Sequence, residues 1–166
     1  FGEGVRNTIA LRGRGGLGQG FLHWSNNFDE VQDFEGQIRS LAGGTGLMDN
    51  ATFFAGTRSE PLGDAKAGLS SDLDALAAYV GSLNTFDASP HRPSAASLSA
   101  AAVEGRQAFI NANCASCHSG AAFSRSAVDN PANIGTIKAT SGQRLFGALT
   151  GIDVPTLRDV WATAPY

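Results

Sequence analysis

Apolar positions along the chain gather into three stretches of helical spacing, separated by long runs with no regular period. Leu73, Leu76, Ala77, Val80 and Leu83 recur at intervals of three and four, which predicts a helix over Asp72 to Leu83. Ser71, with Asp74 three residues later, resembles a capping box at its start. Gly81 weakens only the last turn. The same spacing predicts a second helix from Ser99 or Ala100 to Asn111, with Ala102, Val103, Phe109 and Ile110 on its buried side. It runs directly into Cys114. A third helix is expected across residues 28–39, carrying Phe28, Val31, Phe34 or Glu35, and Ile38 on one face, with Asn27 as its cap. Between the first two, Asn84 to Ser97 holds Pro90, Pro93 and several Ser, Thr and Asp residues, the composition of a linker. Arg12 to Gly20, Gly43 to Gly46 and Ser119 to Gly151 read as loop, in keeping with 21 glycines. No segment alternates convincingly as a strand. The fold class is therefore mainly α and loop-rich, with little or no sheet.

Composition narrows the picture only in part. A chain of 166 residues makes one large domain or two small ones and can bury a real core. The net charge is -3 with acids and bases interspersed, which argues against a nucleic-acid partner, whose binders carry a basic stripe. No apolar run approaches the length of a membrane span. The first residue is Phe, so the expectation is a processed chain or a piece of a longer one, its targeting signal already gone.

The chemistry concentrates at Cys114-Ala115-Ser116-Cys117-His118, which contains both cysteines of the chain. A Cys-x-x-Cys-His run reads as a covalent attachment site for c-type haem. Two thiols three positions apart each reach a vinyl group on one porphyrin edge, and His118 supplies the proximal iron ligand. Two other chemistries use the same residues. Zinc could take Cys114, Cys117 and His118, but a structural site wants four ligands, and neither His23 nor His91 has knuckle-like spacing. A dithiol redox pair would use the cysteines alone, ideally opening a helix after a strand; here a helical, alanine-rich stretch precedes the motif. Elsewhere, Gly13-Arg14-Gly15-Gly16-Leu17-Gly18 formally satisfies a dinucleotide fingerprint. A turn-rich stretch follows it where a helix should open, so it reads as a loop. It is also too short and isolated for an Arg-Gly RNA-binding tract.

The motif, the preceding Gly105-x-x-x-Phe109, and the later Val154-Pro155-Thr156-Leu157-Arg158 and Thr163-Ala164-Pro165-Tyr166 together resemble the second haem domain of bacterial di-haem cytochrome c peroxidases and their MauG-like relatives. Asp72 to Leu83, with Leu76, Tyr79 and Leu83, resembles the closing helix of an earlier cytochrome c domain. Ile9-Ala10-Leu11-Arg12 followed by His23-Trp24 faintly echoes Pro155-Thr156-Leu157-Arg158. The resemblance implies cytochrome c-like domains. Residues 1–85 would form the C-terminal part of the first, 86–98 a linker, and 99–166 the N-terminal part of the second. It also implies a second haem in the parent protein, attached before Phe1.

The remaining site residues follow from that likeness. Met48, the only methionine, would suit an axial ligand of the upstream haem, or else simply fills core. Leu47 stands where the peroxidase relatives carry a glutamate that assists peroxide cleavage, and the surrounding Gly-Gly-Thr-Gly-Leu run offers no acid. His23 could ligate or neighbour the upstream haem, and Trp24 could lie between two haems; both have ordinary packing alternatives. Ser25-Asn26 replaces the Asp-Gly of the family. Arg158 and Arg144 could pair with haem propionates, though ordinary surface pairing is the better expectation for Arg144. His91 is expected in solvent. The carbonyls of Thr163 and Pro165 match positions that bind calcium in the relatives. Tyr166 is a poor ligand candidate, because the family's sixth ligand falls later.

The expected role is electron transfer through covalently bound haem c in the bacterial periplasm or outside the cell, with a redox partner protein or further haem domains. The alternative is a haem oxidoreductase of the peroxidase or MauG-like kind. A third expectation is a haem-bearing piece of an assembly, its half-domains completed by a partner chain.

Overall fold

A computed structural model describes residues 11, 20–41 and 43–162. The Ile9–Arg12 echo, the glycine run at Gly13–Gly18, and Thr163, Pro165 and Tyr166 lie wholly or mostly outside the described residues. Regular structure is mainly helical. A 3-10 turn at Val31–Phe34 leads into α1 (Glu35–Leu41), followed by α2 (Asn50–Phe53), α3 (Ser71–Ser82) and α4 (Ala100–Asn111). Two further 3-10 turns cover Cys114–Ser116 and Val160–Ala162. The sheet is a two-residue ribbon, β1 (Gln143–Arg144) antiparallel to β2 (Gly147–Ala148).

Local chemistry accounts for the helix starts. The Ser99 hydroxyl accepts from the Ala102 N–H at 3.2 Å and opens α4, where the sequence placed it. α3 begins one residue earlier than expected, and its cap is Ser70, whose hydroxyl accepts from Leu73 N–H. Asp74 is not part of a capping box there. Its carboxylate accepts from Gln32 Nε2 at 2.9 Å and from the Gly68 N–H, and these bonds hold its pKa below the ordinary value of 3.8. The third predicted helix starts late, because Asp33 accepts from the backbone of Asp29 and Glu30 and sets the first turn. Asn27 does not cap it; its side-chain Oδ1 accepts from Ser25 Oγ.

Packing is strongest around α3, which lies against the Val31–Phe34 turn. Leu73 is fully buried and clusters with Met48 and Phe53, while Leu76, Ala77, Val80 and Leu83 are half-buried. Polar contacts do as much as apolar ones. Lys66, 2 % exposed, pairs with Asp33 at 2.5 Å, and its backbone N–H donates to Glu30. These bonds tie the loop before α3 to the turn before α1.

A second knot joins residues on opposite sides of the 86–98 segment. Phe21 N–H donates to Ser126 O at 2.8 Å, and Asp153 N–H to Trp24 O at 2.8 Å. Arg144 donates to the carbonyls of Ser25 (2.6 Å) and Asn26 (3.1 Å) and forms an ion pair with Asp129. Gly20 is required here, since a Cβ would stand 1.8 Å from the Ser126 carbonyl oxygen. The 86–98 segment itself is mostly exposed and carries only an isolated bridge between Ser94 and Ser97.

Candidate functional site

The Cys-x-x-Cys-His stretch is delivered by the end of α4. Ala112 N–H closes the last turn on Ala108 O, and Asn113 takes a left-handed conformation at φ 57°. Asparagine tolerates that region better than most residues, which makes it a good helix terminator. The chain then tightens into the 3-10 turn Cys114–Ser116, where the Cys114 carbonyl accepts from Cys117 N–H (3.3 Å) and His118 N–H (2.9 Å). Residues three apart eclipse in a 3-10 turn. Cys114 opens this turn and Cys117 closes it, with His118 next in the chain. Neither cysteine is in a disulfide, and both are partly exposed.

His118 is held by a single directed bond. Its Nδ1 lies 3.0 Å from the Phe123 carbonyl oxygen. A carbonyl only accepts, so Nδ1 carries the proton, and in the neutral ring Nε2 keeps its lone pair. This is how a metal-bound histidine is ordinarily oriented from behind. The Phe123 ring meets Phe109 of α4 edge-on, with centroids 6.2 Å apart at 84°. Ser119 to Gly151 is mostly loop, as its composition predicts, yet it carries this contact. Nothing in the sequence signals which carbonyl will face the imidazole.

α4 departs from its expected burial. None of its residues is buried, and Val103 and Ile110 are 45 % and 56 % exposed. Phe109 and Ala102 reach only half-burial. The apolar face that the spacing defines is present, but the described residues do not cover it.

The other candidate residues are dispersed. Met48 is buried in the cluster with Phe53 and Leu73. Its backbone is tied to α1: Glu35, fully buried, accepts from the backbone N–H groups of Leu47 (2.8 Å) and Met48 (3.2 Å) and from Arg39 Nε (2.6 Å). A buried carboxylate with these three partners anchors the loop that carries Met48. His23 lies beside Phe28 and Phe34 and at the edge of a cleft of about 800 Å³, which Gln37, Phe53, Phe54 and Arg58 also line. Its Nδ1 bonds Ser25 Oγ at 2.8 Å and its Nε2 accepts from Gln37 Nε2 at 2.7 Å. Ligation through Nε2 would require Gln37 to leave. Trp24 is half-buried, its carbonyl bound to Asp153. Arg158 is exposed, its guanidinium 4.1 Å from the centre of the Phe86 ring. Arg144 is the inter-segment tie described above, and His91 is exposed.

Neither family models, curated proteins nor solved structures match this chain. The chemistry of the site therefore rests on its own geometry. Among the described residues, no three His, Cys, Asp or Glu side chains converge to hold a metal ion. The stretch thus combines two thiols at the ends of one short turn, an imidazole with Nδ1 tied back, and an apolar face on α4 that the described residues leave uncovered. No described helix is long and apolar enough to cross a membrane.

Proposed function

We propose that the chain binds haem c covalently through Cys114 and Cys117, takes His118 as an axial ligand, and transfers electrons. The observation that carries this reading is the bond from His118 Nδ1–H to Phe123 O, which leaves Nε2 with the lone pair an iron requires. Each thiol would add across one vinyl group, its sulfur bonding one carbon and its hydrogen going to the other, so attachment consumes no oxidant. The haem supplies an iron that alternates between ferric and ferrous states. The protein holds the imidazole at a fixed tautomer, and the exposed apolar side chains of α4 offer a surface for the porphyrin to cover. On this reading the mainly helical, loop-rich architecture is that of cytochrome c-like domains, with residues 1–85 and 99–166 belonging to successive ones. A redox partner protein or neighbouring haem domain delivers the electron, in the periplasm or outside the cell, where such haem is attached.

The electron-transfer reading is favoured over a peroxidase-like one because Leu47 stands where the peroxidase relatives carry their glutamate, and Glu35, the acid bonded to the Met48 N–H, is fully buried and tied to Leu47 and Arg39 as well. An optical spectrum of the purified protein, with haem quantified per chain and carbon monoxide added after reduction, tests both. One covalent haem per Cys114–His118 stretch and a spectrum unmoved by carbon monoxide are expected. Absence of covalent haem would sink the reading. Ready carbon monoxide binding would reveal an open iron and bring the haem oxidoreductase forward.

A further inference from the structure

Phe123 occupies a conformation that its side chain does not favour. Its φ is +49°, in the left-handed region where a bulky L-residue is an outlier. The surrounding turn enforces it. Phe123 N–H donates to Gly120 O and Ser124 N–H to Ser119 O, both at 3.2 Å, while Thr156 Oγ1 donates to Ala122 O at 2.5 Å. On the outer side, the Phe109 ring stands edge-on to the Phe123 ring. Phe123 is 45 % exposed, so burial alone does not hold it. What the left-handed backbone achieves is local: its carbonyl oxygen points at His118 Nδ1. Strain that persists beside a functional group and aims an atom at it is a reasonable sign of a positioning role.

We infer that Phe123 and Phe109 are positioning residues for His118: the left-handed turn at Phe123, braced by the Phe109 ring, fixes the imidazole with Nδ1 protonated and Nε2 presented. The consequence for electron transfer rests on the haem reading above, but the placement of the imidazole does not. A carbonyl acceptor on Nδ1–H makes the imidazole a stronger donor through Nε2, which favours ferric over ferrous iron and lowers the potential. Losing that acceptor shifts the potential upward.

The test labels histidine with nitrogen-15 and reads the protonation and hydrogen exchange of the His118 ring in the protein as purified, whether or not it carries haem. In the unsubstituted chain Nδ1 is expected to be protonated and its proton to exchange slowly. Phe123→Gly keeps the carbonyl and accepts the left-handed backbone freely, so it preserves that signature. Phe123→Val, whose branched Cβ opposes the conformation, is expected to speed exchange roughly tenfold, and Phe109→Ala to move the same way. Where haem is bound, the midpoint potential rises in Phe123→Val and not in Phe123→Gly. A His118 ring protonated at Nε2 in the unsubstituted chain would overturn the inference without any variant being needed. So would equal exchange in the Gly and Val variants, or exchange in the unsubstituted chain as fast as in Phe123→Val. A chain lacking haem but showing the protected Nδ1 proton would defeat the haem reading alone.

Discussion

Glu35 shows how much one buried side chain can organise. It is fully buried with its carboxylate shared among Arg39 and the backbone of Leu47 and Met48, so it fixes the loop on which Met48 enters the core. Removing the carboxylate leaves the backbone donors of Leu47 and Met48 without their acceptor and takes one bond from the mostly buried Arg39 guanidinium, which keeps those to Asn50 Oδ1 and the Met48 carbonyl. Glu35→Ala is therefore expected to cost about 3 kcal/mol, at the low end for a broken buried pair because Arg39 keeps 14 % of its side chain exposed. Urea denaturation measures this as a lower midpoint with an unchanged slope. The sequence placed this position on a helix face among apolar residues and could not announce its partners, which lie 12 and 13 positions further on.

Among the elements, α3 and α4 contrast. Both were legible from apolar spacing, and both start on a serine cap. α3 buries Leu73 completely, whereas α4 buries nothing. Capping must then matter differently in the two. Ser99→Ala is expected to cost α4 about 1 kcal/mol, appearing as faster amide exchange over Ala100 to Val103 with little change in the global unfolding midpoint, since no packed core is lost with the first turn. A fall in the global midpoint would show instead that α4 is docked. The β1–β2 ribbon was not legible at all. Its turn is Leu145-Phe146, both at positive φ, where hairpins of that shape ordinarily use Asn-Gly or Asp-Gly.

At the scale of the molecule, contacts from Gly20 to Asn26 onto Ser124 to Val154 join segments that sequence reading assigned to separate domains. Arg144 is central to them, and it holds the Asp129 carboxyl below the ordinary value of 3.8 through their hydrogen bond, with a further bond from Asn26. A carboxyl that ionises more readily folded than unfolded adds its full stabilisation above pH 3.8, and that contribution is lost as pH falls through the lower folded value. Asp29 has the opposite sign: burial, then neighbouring Asp33, raise its pKa, so its protonation relieves the fold as pH falls. Comparing Asp129→Asn with the unsubstituted chain removes that background. The variant is expected to be less stable near neutral pH and to converge with the parent in strong acid, with protection of the Asp153 amide as the local readout. Equal stability across that range would mean that Arg144 holds the segments through the Ser25 and Asn26 carbonyls alone.

The sequence by itself determined the positions of α3 and α4, the loop-rich character, and the pairing of two thiols with a histidine on one short stretch. All of these depend on neighbours within about one helical turn, and side-chain spacing and backbone preference act over that range. Only the tertiary structure decided which acid serves Met48, that Gln37 occupies His23 Nε2, that Arg144 ties Ser25 and Asn26 to Asp129, and that the Phe123 carbonyl faces His118. Most of these contacts join residues far apart in the chain, and the nearest, His118 with Phe123, turns on a left-handed backbone that no local preference of Phe announces. Buried polar groups must find partners wherever the folded chain brings donors and acceptors together.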